Sequence, residues 1–243
     1  MPSQTKFALS SNYEITINSL SELLFLTEEA WAEQKAFRVV TFNPEMLVQA
    51  ESDDLFKKSI VSAQALIPDG IGLVALLRKK GCKQVQRQPG IELAWKLLNK
   101  AVQKNLPIAL IGSSPESLAG TIQRIHAELG EPKIVYSRDG FFSVAEEELL
   151  VTELLATKPA LLLVAMPFVR QEPFLHKLQE RGLKAVSIGV GGSFDVWAGV
   201  VERAPKWLQG LNLEWTWRII KQPQRISRLL KMLPSFLKIY FSV

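Results

Sequence analysis

The feature that most constrains this chain is a repeated alternation. Short apolar, β-rich runs take turns with longer segments of helical spacing. The short runs are Phe37 to Thr41, Ala65 to Pro68, Pro107 to Gly112, Lys133 to Tyr136, Ala160 to Ala165 and Ala185 to Val190. The helical segments are Pro44 to Val48, Leu55 to Ala63, Ile71 to Leu106, Pro115 to Leu129, Ala145 to Thr157 and Gln171 to Arg181. The long Ile71 segment is interrupted at Gly81-Cys82-Lys83 and at Arg87-Gln88-Pro89-Gly90. Residues 14–36 suggest one further strand and helix. Strands separated by helices at this spacing predict an α/β fold, a Rossmann-like, mostly parallel sheet with helices on both faces.

Ligands of such sheets bind outside the carboxyl ends of the strands, so the residues that end each run carry the functional argument. Asp69 stands between the run Ala65-Leu66-Ile67-Pro68 and the helical pattern after Gly70. A carboxylate there either caps the helix or does chemistry. Thr41 and Asn43 close the preceding run. If the two strands are neighbours, a hydroxyl, a carboxamide and a carboxylate converge, although all three residue types also favour turns and caps. Arg87 precedes the Pro89-Gly90 turn, and Glu92 follows it as a candidate cap. Two glycine-bearing loops, Gly112-Ser113-Ser114 and Gly189 to Ser193 with Gly191 and Gly192, follow strands and offer backbone N–H groups to phosphate. Neither matches a dinucleotide fingerprint or a P-loop. Asp195 follows the second loop as a candidate hydroxyl ligand. Arg170-Gln171-Glu172 opens a helix, where the acid suits the dipole.

Charge divides the chain. From Arg203 onward there are eight basic residues and a single acid, Glu214, a net of +7 in a chain of net +5, so the first 202 residues carry −2. A basic tail on a near-neutral body points to an anionic partner. Arg218, Lys221, Arg225 and Arg228 share one helical face, with Ile219, Ile226, Leu230, Leu233 and Leu237 on the adjacent one. Pro223 and Pro234 are expected to break this region into short helices. The expected division is an α/β domain, 1–202, and a basic, Trp-rich helical appendage, 203–243.

One cysteine, Cys82, and two histidines argue against disulfides and a Cys- or His-rich metal site. The first residues carry no apolar run of signal-peptide length, and no run approaches the ~18 residues of a membrane span. The expectation is an intracellular protein. No Asp-X-Asp occurs, so a bound diphosphate would rely on Arg, Lys and helix N-termini rather than a metal. No metal or cofactor is expected.

Together, several stretches resemble the bacterial WecG/TagA/CpsF glycosyltransferases. They are Thr41-Phe42-Asn43, Pro68-Asp69-Gly70, Arg87 with Gly90, Asp139-Gly140-Phe141, Gln171-Glu172, and Gly189-Val190-Gly191-Gly192 with Phe194-Asp195. Gly199, Arg203-Ala204-Pro205 and Leu213-Glu214-Trp215 with Arg218 complete the set, from about Val39 to Arg228. The chain departs at Pro167-Phe168-Val169-Arg170, where the family usually has Gly-X-Pro-Lys, and at Glu92, where it usually has Asp.

The resemblance implies an inverting, metal-independent transfer of an N-acetylmannosamine-type sugar from UDP to a polyprenyl-diphosphate-linked GlcNAc, for a cell-surface polysaccharide. Asp69 would be the base, with Thr41 and Asn43 positioning sugar. Arg87, Arg203, Arg218, Arg225 and Arg228, together with Gly112, Arg170, Gln171, Glu172, Gly191, Gly192 and Asp195, would bind substrate. It further implies an appendage that reaches the anionic inner face of the plasma membrane. Nucleic acid is not an expected partner, and self-association stays open. The alternatives are a non-catalytic nucleotide-sugar or lipid-head-group binder with a basic membrane tail, and an oxidoreductase, which lacks its Gly-X-Gly-X-X-Gly signature here.

Overall fold

The computed structural model describes residues 6–10, 12–211 and 213–242, with the Arg225 side chain outside the described atoms. The chain opens with a small antiparallel hairpin, β1 (Lys6–Ala8) and β2 (Glu14–Thr16), followed by α1 (Leu20–Ala32). Then come β3 (Phe37–Phe42), α2 (Pro44–Ala50), α3 (Asp54–Val61), β4 (Ala65–Pro68), α4 (Ile71–Lys79) and α5 (Gly90–Gln103). Next are β5 (Ile108–Gly112), α6 (Pro115–Leu129), β6 (Ile134–Arg138), α7 (Val144–Thr157), β7 (Leu161–Ala165) and α8 (Phe168–Glu180). The chain ends with β8 (Val186–Gly189), α9 (Ser193–Trp197), α10 (Lys206–Gly210), α11 (Glu214–Lys221) and α12 (Arg225–Phe241).

Strands β3 to β8 form one six-stranded sheet in the order β4-β3-β8-β7-β5-β6, with every pairing parallel. Successive strand residues face opposite sides of a sheet. Val39, Ile67, Leu110, Leu163 and Ile188 therefore pack one way, under α1, α5, α6 and α9. Val40, Phe42 and Leu66 pack the other way, against α2, α3, α4 and α12. Ala109, Ile111, Leu162 and Val164 share that second face and meet α7 and α8. Both faces are covered, which is why the strands read as unbroken apolar runs. Parallel pairing also sets every carboxyl end on one edge, where the loops containing Asn43, Asp69, Ser113, Asp139, Met166 and Gly191 all emerge.

Three expectations are corrected. Helix α8 begins at Phe168, so Arg170, Gln171 and Glu172 lie within it rather than opening it. Its interior Glu172 answers a buried arginine instead of the helix dipole. Pro223 does separate α11 from α12, but α12 continues through Pro234. A proline there leaves the Leu230 carbonyl without its helical donor. Leu230 is 63% exposed, so water can take that bond.

The C-terminal helices lie on the body. Phe236 of α12 is buried in the same cluster as Met46 and Leu73, with Met232, Ile239 and Tyr240 packed around it. Lys79 of α4 donates to the Tyr240 carbonyl at 2.6 Å. The opposite side of α12 leaves Ile226, Leu230, Leu233, Leu237 and Phe241 exposed. Among the described residues, no helix is long and apolar enough to cross a membrane.

Candidate active site

Strands β3 and β4 are direct neighbours, with Thr41 opposite Ile67 and Phe42 opposite Pro68. Asn43 and Asp69 are thus the next pair at the carboxyl edge, and the convergence that the sequence made conditional is realised. The Asp69 N–H donates to the Phe42 carbonyl at 2.8 Å, locking the two strand ends together.

The two residues then part in role. The Asn43 carboxamide oxygen caps α2, accepting from the Met46 N–H at 3.0 Å. Among the described residues its –NH2 group has no hydrogen-bond partner. Asp69 does not cap α4, whose N-cap is Gly70 with no side-chain bond. Its carboxylate turns toward the next helix instead. Oδ1 accepts from Arg87 Nε at 3.3 Å, and Oδ2 lies 3.5 Å from the Gly90 N–H at the start of α5. Thr41 lies directly beneath. Gly90 is required there because a Cβ would stand 2.4 Å from the Thr41 methyl carbon.

Burial pushes the Asp69 carboxyl above the ordinary carboxylate range. The charges of Arg87 and Arg218 and the Gly90 N–H oppose the shift without cancelling it. The side chain keeps 28% of its surface accessible, so its oxygens remain reachable. A reachable carboxylate with raised proton affinity is suited to take a proton.

C-terminal residues reach this edge. Arg87 donates its Nη2 to Glu214, the first residue of α11, which is 5% exposed. Glu214 also accepts from Arg203 Nε at 3.0 Å, and Arg203 donates to Glu92 on α5 at 2.8 Å. Glu92 is therefore an ion-pair partner rather than a cap, since α5 has no side-chain cap bond. Arg218 is exposed on α11 and acts on Asp69 through its charge. It borders a hollow shared with Gly192, Asp195, Trp217 and Lys221. Arg228 is exposed on the first turn of α12, and among the described residues it forms no ion pair. The Arg225 side chain lies outside the described atoms.

The two glycine loops meet through side chains. Gly112 turns with φ +113° against the Ala165 carbonyl, where a Cβ would have 2.2 Å. The next residue, Ser113, donates its hydroxyl to Asp195 Oδ1. Gly191 gives its N–H to Gln171 Oε1 at 2.9 Å, and Gln171 Nε2 donates to Glu172 Oε1 at 2.8 Å. Gln171 and Glu172 are buried, so they hold the loop from beneath rather than line its surface. Glu172 Oε2 faces Arg38 Nη1 at 3.5 Å, with both side chains out of water. Arg170 is exposed, stacked on Phe142 with 5.0 Å between guanidinium carbon and ring centre. Among the described residues, no group of His, Cys, Asp and Glu is arranged to hold a metal.

Sequence reasoning quoted Glu214 as part of a motif without giving it a role, and passed over Arg38. Glu214 was visible as the lone acid of a basic tail, and Arg38 as the one charge inside an otherwise apolar strand. Both signals follow from the rule that a buried charge needs a partner.

Comparison with known proteins gives the family. Residues 10–242 match the model of the Glycosyl transferase WecG/TagA/CpsF family. A Bacillus subtilis (strain 168) protein, an N-acetylglucosaminyldiphosphoundecaprenol N-acetyl-beta-D-mannosaminyltransferase, is 34% identical over 216 residues, covering 88% of this chain and 84% of the relative. With the family matched over nearly its whole length, the chain belongs to the WecG/TagA/CpsF glycosyltransferases and is a glycosyltransferase itself, not a passive binder or an oxidoreductase.

Proposed function

We propose that this enzyme moves an N-acetylmannosamine-type sugar from a UDP-sugar to a polyprenyl-diphosphate-linked GlcNAc, with inversion and without a metal. The carrying observation is Asp69: a carboxylate at the sheet's carboxyl edge, not used as a cap of the helix that follows it, raised in proton affinity and flanked by arginines. The name of the Bacillus subtilis relative supports the choice of sugar and acceptor.

In this reading the acceptor hydroxyl gives its proton to Asp69 as its oxygen attacks the anomeric carbon from the face opposite UDP. The bond to the diphosphate oxygen breaks, and UDP leaves with the electron pair. Thr41 and the free –NH2 of Asn43 hold the sugar. Arg87 and Arg218, joined by Arg225 and Arg228, offset the leaving charge, which is what electrostatic catalysis of diphosphate departure requires. Asp195 and the backbone of Gly112, Gly191 and Gly192 take the nucleotide. Arg170 supplements them from the rim, while Gln171 and Glu172 fix the loop and Arg203 fixes α11. Residues 203–243 act as an appendage that rests on the anionic inner face of the plasma membrane. Each basic residue near that surface contributes about 1 kcal/mol, and the exposed Ile226–Phe241 side of α12 enters the interface.

The test is transfer from UDP-N-acetylmannosamine to a short-chain polyprenyl-diphosphate-GlcNAc analogue, followed by mass spectrometry. Asp69→Asn should lower turnover about 10²–10⁴-fold in a folded protein, and EDTA should leave the native rate unchanged. Near-normal turnover of the variant would overturn the base assignment. A rate lost to EDTA and restored by Mg²⁺ would overturn the metal-free mechanism.

A further inference from the structure

The appendage carries eight basic residues and one acid, and that acid is the most buried of its described charged groups. Glu214 does not lie on a solvated face. Its Oε2 holds Arg87 Nη2, and its Oε1 holds Arg203 Nε. Five charges alternate in sign along one line: Asp69, Arg87, Glu214, Arg203 and Glu92. They come from the end of β4, the loop before α5, α11, the loop before α10, and α5. The line crosses from the body to the appendage and back.

The member that touches the candidate base is Arg87. A guanidinium beside a lone carboxylate closes on it as a two-point fork. Here the fork is split, because Nη2 is drawn to Glu214 and only Nε reaches Asp69, at 3.3 Å. We propose that Glu214 is a positioning residue: by taking one end of Arg87 it docks the appendage on the body and prevents Arg87 from closing a two-point ion pair on Asp69. The appendage is then more than a source of arginines. Its docking leaves the base with one long contact from Arg87, at 3.3 Å, beside the Gly90 N–H at 3.5 Å, and with its oxygens reachable by a hydroxyl. This inference rests on the reading of Asp69 as the base.

The charge balance gives the direction of the effect. Asp69 is faced by Arg87, by Arg218 from α11, and by the Gly90 N–H from α5. Glu214 is faced by Arg87 and Arg203, with Glu92 behind Arg203. Burial raises the Glu214 carboxyl, but those two arginines outweigh it and hold it below the ordinary range, so it stays ionised. Replacing it by a neutral residue removes an anion near Asp69 and releases Arg87 toward it. Both changes favour the Asp69 carboxylate and lower its proton affinity. Displacement of Arg218, or of Arg87 away from Asp69, would act the other way.

The experiment is a carboxyl-carbon NMR titration of Asp69 in the full chain, comparing native protein with Glu214→Gln. The kcat/KM pH profile on the soluble acceptor analogue is measured alongside. In Glu214→Gln the Asp69 midpoint should move down by about one pH unit, a tenfold loss of proton affinity, and the acid limb of kcat/KM should move with it. Glu214→Asp keeps the charge but draws it back, so its midpoint should fall between the two; it carries the test if Glu214→Gln fails to fold. An unmoved Asp69 midpoint, or a fall in kcat/KM with its acid limb in place, would make Glu214 a plain structural latch and overturn the proposal. Failure of the base reading looks different: Asp69→Asn would remain active, while the NMR titration would still decide whether Glu214 governs the contact of Arg87 with Asp69.

Discussion

Replacing Gly90 by Ala tests how tightly the site is built. Gly90 is the first residue of α5, and a Cβ there would stand 2.4 Å from Thr41 Cγ2 and 3.1 Å from Thr41 Cβ. Carbon atoms pack best at about 3.5–4.0 Å, so the overlap exceeds ~1 Å. Neither partner can easily yield. Thr41 is β-branched, with a restricted χ1, and buried at the end of β3. Helix α5 is anchored by Leu93, Ala94, Leu97, Leu98 and Ala101, all buried. Overpacking of this kind costs about 1–3 kcal/mol, and alanine returns less than the ~1 kcal/mol it gains over glycine inside a helix. A net loss of about 1–2 kcal/mol corresponds to a fall in Tm of about 2–8 °C for a chain of this size. Thr41→Ser removes only the methyl group at 2.4 Å. In that background the contact with residue 41 Cβ at 3.1 Å remains, so Gly90→Ala should cost clearly less than in the native chain. The four proteins form a cycle read by urea unfolding, with an expected coupling of about 1–2 kcal/mol. Additive effects, within ~0.5 kcal/mol, would refute the contact. The Gly90 N–H also faces Asp69 at 3.5 Å, so a displaced α5 should lower turnover in Gly90→Ala, and Thr41→Ser should recover part of it.

Glu172→Gln leaves Arg38 charged and out of water, since the pair is 0% and 1% exposed. Losing one partner of a buried pair costs about 3–5 kcal/mol, and a urea unfolding difference under ~1 kcal/mol would contradict that accounting. Because Asp69 has a raised affinity for its proton in the fold, the stability it lends is present below its unfolded pKa of about 3.9 and is lost as pH rises through the folded value. Asp69→Asn should therefore melt higher than the native chain near neutral pH, with the gain vanishing at low pH; a gain that grows on acidification would reverse the sign. Truncation after Leu211 removes Glu214 and the buried Phe236. The remaining body should melt lower, lose binding to anionic liposomes in low salt, and lose transfer even to a soluble acceptor. Full activity on that acceptor would reduce the appendage to an anchor.

Much of the fold was legible because its signals are local. Apolar runs of strand length, each closed by Gly, Pro or Asp, marked β3 to β8, and Ser114-Pro115-Glu116 marked the start of α6. Strand β1, its pairing with the expected strand β2, and the short α9 escaped notice, being too short to develop a period. Pro234 misled because the rule against proline inside helices weakens where the orphaned carbonyl is hydrated. At the site, residue identity alone could not separate Asn43, which caps its own helix, from Asp69, which does not. Capping depends on a backbone angle and a rotamer, and composition carries neither.

The sequence by itself determined the alternating architecture, the edge at which the candidate site residues collect, and the division of charge between body and tail. Each follows from period, punctuation or a sum over residues, and none needs a partner distant in the chain. Only the tertiary structure decided that β3 lies beside β4, that Gln171 and Glu172 work from beneath a loop, and that Glu214 reaches Arg87 across 127 positions. Those facts are pairings between remote residues. They are selected by burial, where a charge removed from water must find its opposite, and no local pattern records which opposite it finds.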